Sequence, residues 1–336
     1  MEPVLVTEKE YAKAEQIFRA ATAFAIRPAP AEEGALSAAV LQCRARAVIV
    51  GVESYTGPLY RALRETGNGR GALIARFGVG HDSVDKAQAR ENGIIVCNTP
   101  GVLDISVAEY ALWLMGCFAR RICQIEARLR AGQFSGETGG ELGAKRLGIL
   151  GLGRIGRKVA RMAHFGLGME VWAADRYHPH ELEAQERRSL ADIQSDYGLE
   201  VYTSNTDQLL RECDYVSIHL SATPATRHFI NAPRLALLKP AAVLINTARG
   251  NVVDEAALYD ALVAGRMGGA ALDVFDHEPY RPVAADKDLR TLSNIVLTPH
   301  AASNTREANQ RMAAACLANV SHFFDGNAAQ MTTVDL

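Results

Sequence analysis

LGILGLGRIGRKVARMAHFG, residues 147–166, joins an apolar strand to an amphipathic helix through Gly151-x-Gly153-x-x-Gly156. Gly151 permits a tight turn, Gly153 lets the backbone approach a pyrophosphate, and Gly156 lets the helix pack against its strand. The helix N-terminus adds unpaired N–H groups and a partial positive charge suited to phosphates. Arg154 and Ile155 lie inside the same turn and are expected beside the cofactor. The next apolar run ends on Asp175, close to the ~20-residue offset of the acid that accepts the adenosine ribose hydroxyls. A carboxylate there repels a 2′-phosphate and favours NAD, while the neighbouring Arg176 leaves NADP use open.

Outward from this turn, short Val- and Ile-rich runs alternate with longer amphipathic stretches, the pattern of parallel α/β sheets. One series holds Val4-Leu5-Val6, 47-AVIVGV-52, 72-ALIARFG-78 and 94-IIVCN-98. The other holds 146-RLGILG-151, 169-MEVWAAD-175, 214-DYVSIHL-220, 242-AVLINTA-248, 269-GAALDVF-275 and 295-IVLTP-299. Two series predict an α/β protein of two Rossmann-like domains, each a parallel sheet flanked by helices, with an active-site cleft between them. Residues 1–102 and 302–336 are expected to form a substrate-binding domain, and 103–301 an NAD-binding domain. Helices are expected over Glu8–Ala21, Ser106–Ala131 and Arg154–Phe165, with one more after His300. The Gly-rich 135-SGETGGELG-143 reads as an exposed loop.

Composition narrows the function. At 336 residues the chain exceeds one typical core. With 48% hydrophobic and 22% charged residues it is an ordinary globular sequence. A formal net charge of −2 offers no bulk basic surface to nucleic acid or anionic lipid, so small molecules are the expected partners. The six cysteines form no CxxC pair and no zinc-like spacing, so no metal is expected. The N-terminus lacks a basic start followed by an apolar stretch, and no apolar run has the length of a membrane span. The reading is a cytoplasmic enzyme.

Seven blocks in order carry a resemblance to a known family. They are 77-FGVGHDSVD-85, 98-NTPG-101, 107-VAEYALWLM-115, 151-GLGRIGRKVA-160, 243-VLINTARGNVVDEAALYDAL-262, 271-ALDVFDHEP-279 and 298-TPHAASNT-305. Together they make the chain resemble the D-isomer-specific 2-hydroxyacid dehydrogenases, the group of D-glycerate, phosphoglycerate and D-lactate dehydrogenases and of glyoxylate/hydroxypyruvate reductases. The resemblance implies NAD-dependent interconversion of a small 2-keto acid and its D-2-hydroxy acid, in a homodimer. It also admits a sibling that senses NAD as a scaffold without turnover.

The resemblance places catalysis on Arg249, Glu278 and His300. Each follows the C-terminal end of a candidate strand, where open α/β sheets bind ligands. His300 is the implied acid/base, since reducing a ketone needs a proton for the oxygen as hydride reaches carbon. Glu278 would hold the far ring nitrogen and stabilise imidazolium. The forked donors of Arg249 suit the substrate carboxylate and carbonyl. By the same resemblance Ser106, His219, Thr226, Thr247, Ala248 and Asp273 lie near the cofactor, with Asp273 facing the nicotinamide carboxamide. Asn98 belongs to the same neighbourhood and is counted among the substrate contacts. Val79 and Gly80 would form an anion-binding nest for the substrate carboxylate. Tyr55, Thr56 and Ser303 complete the substrate side, with Tyr55 and Thr56 as specificity residues. His81 stands where the family has a small residue or tyrosine, and Ser221 where it commonly has proline. Hinges for closure are expected near Pro100-Gly101 and Ala301-Ala302.

Overall fold

Val4, Leu5, Val6, Val48, Ile49 and Val50 are at most 1% exposed, as strands must be when helices cover both faces of a parallel sheet. The computed structural model describes residues 1–336 and divides them into two units. One is Met1–Leu103 with Ser303–Leu336; the other is Asp104–Ala302. These borders fall one residue beyond those read from the sequence.

The first unit holds strands β1 (Pro3–Thr7), β2 (Ala25–Ala29), β3 (Ala47–Val50), β4 (Ala72–Arg76) and β5 (Ile94–Cys97). All pair in parallel, in the order β2-β1-β3-β4-β5. The switch in winding direction therefore lies between β1 and β3. β2 was not anticipated; it is an edge strand containing Pro28, the position where a sheet tolerates proline and where hydrophobic patterning is weakest. The expected helix over Glu8–Ala21 is two, Glu8–Lys13 and Glu15–Ala20, broken where Ala14 leaves helical geometry at φ −142°. The last helix, Arg306–Phe324, buries Met312, Cys316 and Val320 and belongs to this unit.

The second unit holds β6 (Arg146–Leu150), β7 (Glu170–Ala174), β8 (Leu199–Thr203), β9 (Tyr215–Ile218), β10 (Val243–Asn246), β11 (Gly269–Leu272) and β12 (Ile295–Leu297). Their order is β12-β11-β10-β9-β6-β7-β8, parallel throughout, with the switch point between β6 and β9. Successive residues of β10 feed opposite layers. Val243 and Ile245 join the core under the Asp104–Ala119 helix, while Leu244 joins that of Leu258 and Leu262.

A single Ser106–Ala131 helix is not what forms. The chain makes Asp104–Ala119 and Ile122–Arg130, separated by Arg121 in the left-handed region at φ 52°. The cause lies in the Gly-rich loop, whose Gly140 N–H donates to Ala119 O at 2.8 Å. A side chain on Gly139 would stand 2.6 Å from that carbonyl, so glycine alone permits the return.

Candidate active site

At the switch point of the second sheet the glycines have separable duties. Gly151 turns at φ 96°, and a Cβ there would lie 2.8 Å from His219 O. A Cβ on Gly156 would lie 2.2 Å from Gly151 O, so only glycine lets the Arg154–Arg161 helix sit this close to β6. Gly153 caps that helix and has nothing within 4 Å of its missing side chain. An open cradle over a helix N-terminus is what a pyrophosphate requires, and the residues present fit a dinucleotide.

Asp175 follows β7 and points back to the turn. Its Oδ2 accepts the Leu152 N–H at 2.7 Å, and Oδ1 accepts the Arg176 N–H at 2.7 Å. Arg176 is turned onto its neighbour, donating to Tyr177 Oη at 2.6 Å with its guanidinium 4.7 Å from that ring's centroid. His219 Nε2 meets Ser217 Oγ at 2.9 Å, and burial pushes the imidazole down to about 4, so it is neutral near pH 7. Thr247 is buried, and its Oγ1 has no hydrogen-bond partner within the chain. Ala248 N–H is held by Asn246 Oδ1 at 3.0 Å. Arg154 pairs with Asp104 at 3.3 Å, Ile155 packs on the core, and Ser106 is buried on the Asp104–Ala119 helix. Thr226 braces its own loop, donating to Ser221 O at 2.6 Å, instead of presenting a free hydroxyl.

Arg249, Glu278 and His300 all lie in this unit, on the loops after β10, β11 and β12. His300 Nδ1 lies 2.6 Å from Glu278 Oε2, and the two side chains are 30% and 31% exposed. Glu278 Oε1 accepts the Phe275 N–H at 3.0 Å. Burial pushes the Glu278 carboxyl up, but the His300 bond and charge, the Phe275 N–H and the Arg249 charge outweigh it and leave it below the ordinary value. The carboxylate is thus kept ionised behind the ring, and Nε2 is the nitrogen left to face a substrate. Arg249 Nη1 donates to Ala248 O at 2.6 Å, and Asn246 Nδ2 holds Arg249 O at 2.8 Å. Gly250 brings the two loops together; a Cβ there would overlap the Phe275 carbonyl carbon at 1.8 Å.

Asp273 requires a correction. Its carboxylate is wholly buried and accepts Thr298 Oγ1 at 2.6 Å, Ala301 N at 2.8 Å and Ala302 N at 2.8 Å, while Asp273 O accepts His300 N at 2.7 Å. It therefore shapes the turn that carries His300 and does not face outward to a carboxamide. Burial pushes its carboxyl up, against those three bonds and the His300 charge.

In the first unit, the Val79–Gly80 turn is steadied by Asn98 Nδ2, which donates to Val79 O at 2.8 Å. Asn98 thus braces the turn from within the fold. Tyr55 is 1% exposed and packs in the core with Leu59 and Val84, so it is not the open cleft residue the sequence suggested. Thr56 gives its N–H and hydroxyl to Glu33 at 2.9 and 3.2 Å, which commits it to closing a loop. Ser303 is half-buried and opens the unit's second segment. Sequence reading passed over Gly250, Thr298 and Glu255. A glycine directly after Arg249 was the available signal for the first; nothing local marks the other two.

The comparisons with known proteins bear on the whole arrangement. Residues 112–302 match the family profile of the D-isomer specific 2-hydroxyacid dehydrogenase NAD-binding domain. The chain belongs to this family, and it is an NAD-binding oxidoreductase of the 2-hydroxyacid dehydrogenase class. It is 38% identical over 260 residues to a glyoxylate reductase of Korarchaeum cryptofilum, covering 76% of this chain and 73% of that one. It is 40% identical over 240 residues to a D-3-phosphoglycerate dehydrogenase of Methanocaldococcus jannaschii, covering 71% of this chain but only 43% of that longer protein. An NADPH-dependent glyoxylate/hydroxypyruvate reductase of Sinorhizobium meliloti, solved with citrate, superposes with TM-score 0.80 at 29% identity over 99% of this chain and 98% of that one. No helix of the chain is long and apolar enough to cross a membrane.

Proposed function

We propose that the chain reduces a small 2-keto acid to its D-2-hydroxy acid with NADH, and runs the reverse oxidation with NAD. The observation that carries this reading is the 2.6 Å Glu278–His300 pair beside Arg249, in the unit that binds the dinucleotide. The cofactor would rest on Gly151, Gly153 and Gly156 with its ribose toward Asp175, and its nicotinamide supplies the hydride. His300 Nε2 donates the proton that the carbonyl oxygen requires, and Glu278 offsets the ring's charge before that transfer. Arg249 binds the substrate carboxylate and polarises the carbonyl. In the first unit, the Val79–Gly80 backbone offers N–H donors of the kind that suit a carboxylate.

Preference for NADH is supported by Asp175, whose carboxylate is anchored to the glycine turn while Arg176 lies on Tyr177. Six free thiols suit a reducing cytoplasmic setting. A homodimer formed through the Asp104–Arg130 helices and the residues just after them is supported by Trp113, Leu129 and Phe134, which are 69%, 57% and 98% exposed.

The deciding experiment is turnover of glyoxylate, hydroxypyruvate, pyruvate and branched 2-keto acids with NADH and with NADPH. Reduction of at least one acid, faster with NADH, is expected. Tight NADH binding with no turnover of any acid would return the chain to the scaffold reading.

A further inference from the structure

The turn carrying Glu278 is held by a side chain outside the candidate catalytic set. Glu255 opens the Glu255–Val263 helix, beyond the Arg249 loop, and is 4% exposed. Its Oε1 accepts the Asp276 N–H at 2.7 Å. Its Oε2 is buried and meets no hydrogen-bond partner. A buried oxygen left unsatisfied is unfavourable, and an apolar residue at this place would avoid the penalty. Packing alone therefore gives no reason for a carboxyl here. Burial pushes it up from the ordinary range; the Asp276 N–H opposes this, and the Asp276 and Glu278 charges add to it.

We propose that Glu255 is a positioning residue for the Glu278–His300 pair, fixing the Phe275–Glu278 turn through the Asp276 N–H. The inference rests on the acid/base reading of that pair given above. The turn's backbone N–H groups have one internal tie, Phe275 N–H to Glu278 Oε1, and one external tie, Asp276 N–H to Glu255 Oε1; its side chains add the Asp276–Arg227 pair at 3.7 Å and the Glu278–His300 bond. On its other side the Phe275–Asp276 peptide lies against Gly250, where no side chain fits. Cutting the external tie lets the peptide rotate away from Gly250, and Glu278 Oε2 moves with it, out of line with His300 Nδ1. What the turn needs is an acceptor oxygen at the right reach. The amide of Glu255→Gln supplies one, Glu255→Asp stops one methylene short, and Glu255→Ala supplies none.

The test combines two readouts on the full-length protein. The first is the low-field proton resonance of the His300 Nδ1–H in its short bond to Glu278, identified by its loss in His300→Ala. The second is kcat and KM for glyoxylate, with the dissociation constant of NADH measured by fluorescence. In Glu255→Ala and Glu255→Asp the resonance is expected to broaden or move upfield, and kcat to fall between about tenfold and 100-fold. KM and NADH affinity should stay within about twofold, because this side chain is only 4% exposed. Glu255→Gln should keep both the resonance and kcat. The proposal is overturned if the alanine and aspartate variants match the wild type, or if the glutamine variant loses as much as alanine does. Should alanine prevent folding, the aspartate–glutamine contrast decides. If no keto acid is turned over, the resonance alone decides, so failure of the functional reading is separable from failure of this one.

Discussion

His300 reaches its position through contacts that its own sequence block does not contain. Its ring meets Glu278, its N–H meets Asp273 O, and the residues after it hang from the Asp273 carboxylate. Replacing the ring removes the proposed proton donor, so His300→Ala should lower kcat for keto-acid reduction by about 10²–10⁴-fold with NADH binding unchanged. Glu278→Gln removes the anion behind the ring, and kcat for reduction should fall while NADH binding holds. An unchanged kcat would count against the pair. Glu278 also bears on stability, because its carboxyl is held below the ordinary value in the folded chain. Its contribution is complete above about pH 4.3, the unfolded value, and is lost as pH falls through the lower folded one. Melting curves of wild type and Glu278→Gln should therefore converge under acid and separate toward neutrality. At this scale the sequence blocks pointed to Arg249, Glu278 and His300, and the structure places each on the loop after a strand that the patterning also showed. Asp273, Tyr55 and Thr56 were misjudged because their partners, Thr298 and Ala301, the core around Leu59, and Glu33, are decided by folding and not by neighbours in the chain.

Elements were legible where apolar runs were central and obscure where they were marginal. Every central strand was anticipated. β2 and β8 were not, and both lie at sheet edges, where one side is open and alternation weakens. The break at Arg121 escaped because it is imposed by Gly139 and Gly140, glycines that sit in a distant loop. The β6 turn and its helix were readable at once, since three glycines in fixed spacing each serve a separate contact. Gly156→Val places a side chain against Gly151 O and should push the helix off the strand. NADH affinity, followed by nicotinamide fluorescence, should drop by at least about 100-fold, comparable to losing two or three good hydrogen bonds to phosphate. Gly250→Ala strikes the other loop pair. It should abolish turnover while leaving NADH binding to the distant glycine turn within a few-fold.

For the molecule as a whole, the two-unit plan followed from counting two strand series, and the observed division falls within one residue of it at each crossing. The surface proposed to meet a second copy was less visible, because exposed apolar residues look like core residues until their burial is known. Phe134 and Trp113 are the clearest instances. The double change Trp113→Glu with Phe134→Glu should shift the mass in solution from two chains to one, measured by light scattering. A wild type that is already monomeric would remove the dimer. Because the dinucleotide binds the folded chain alone, NADH at 100 times its dissociation constant should stabilise it by about 2.7 kcal/mol, visible as a raised melting temperature.

His300 carries a backbone φ of 52°, the left-handed conformation that is uncommon for any residue with a side chain and costs some torsional energy. Activity and durability are therefore set against each other at one position. An asparagine or glycine there would relax roughly 1 kcal/mol of torsional tension, partly offset by the lost bond to Glu278. Selection for heat resistance alone would drift toward an inert protein at this site, and a laboratory screen that scored only survival after heating should enrich for such chains.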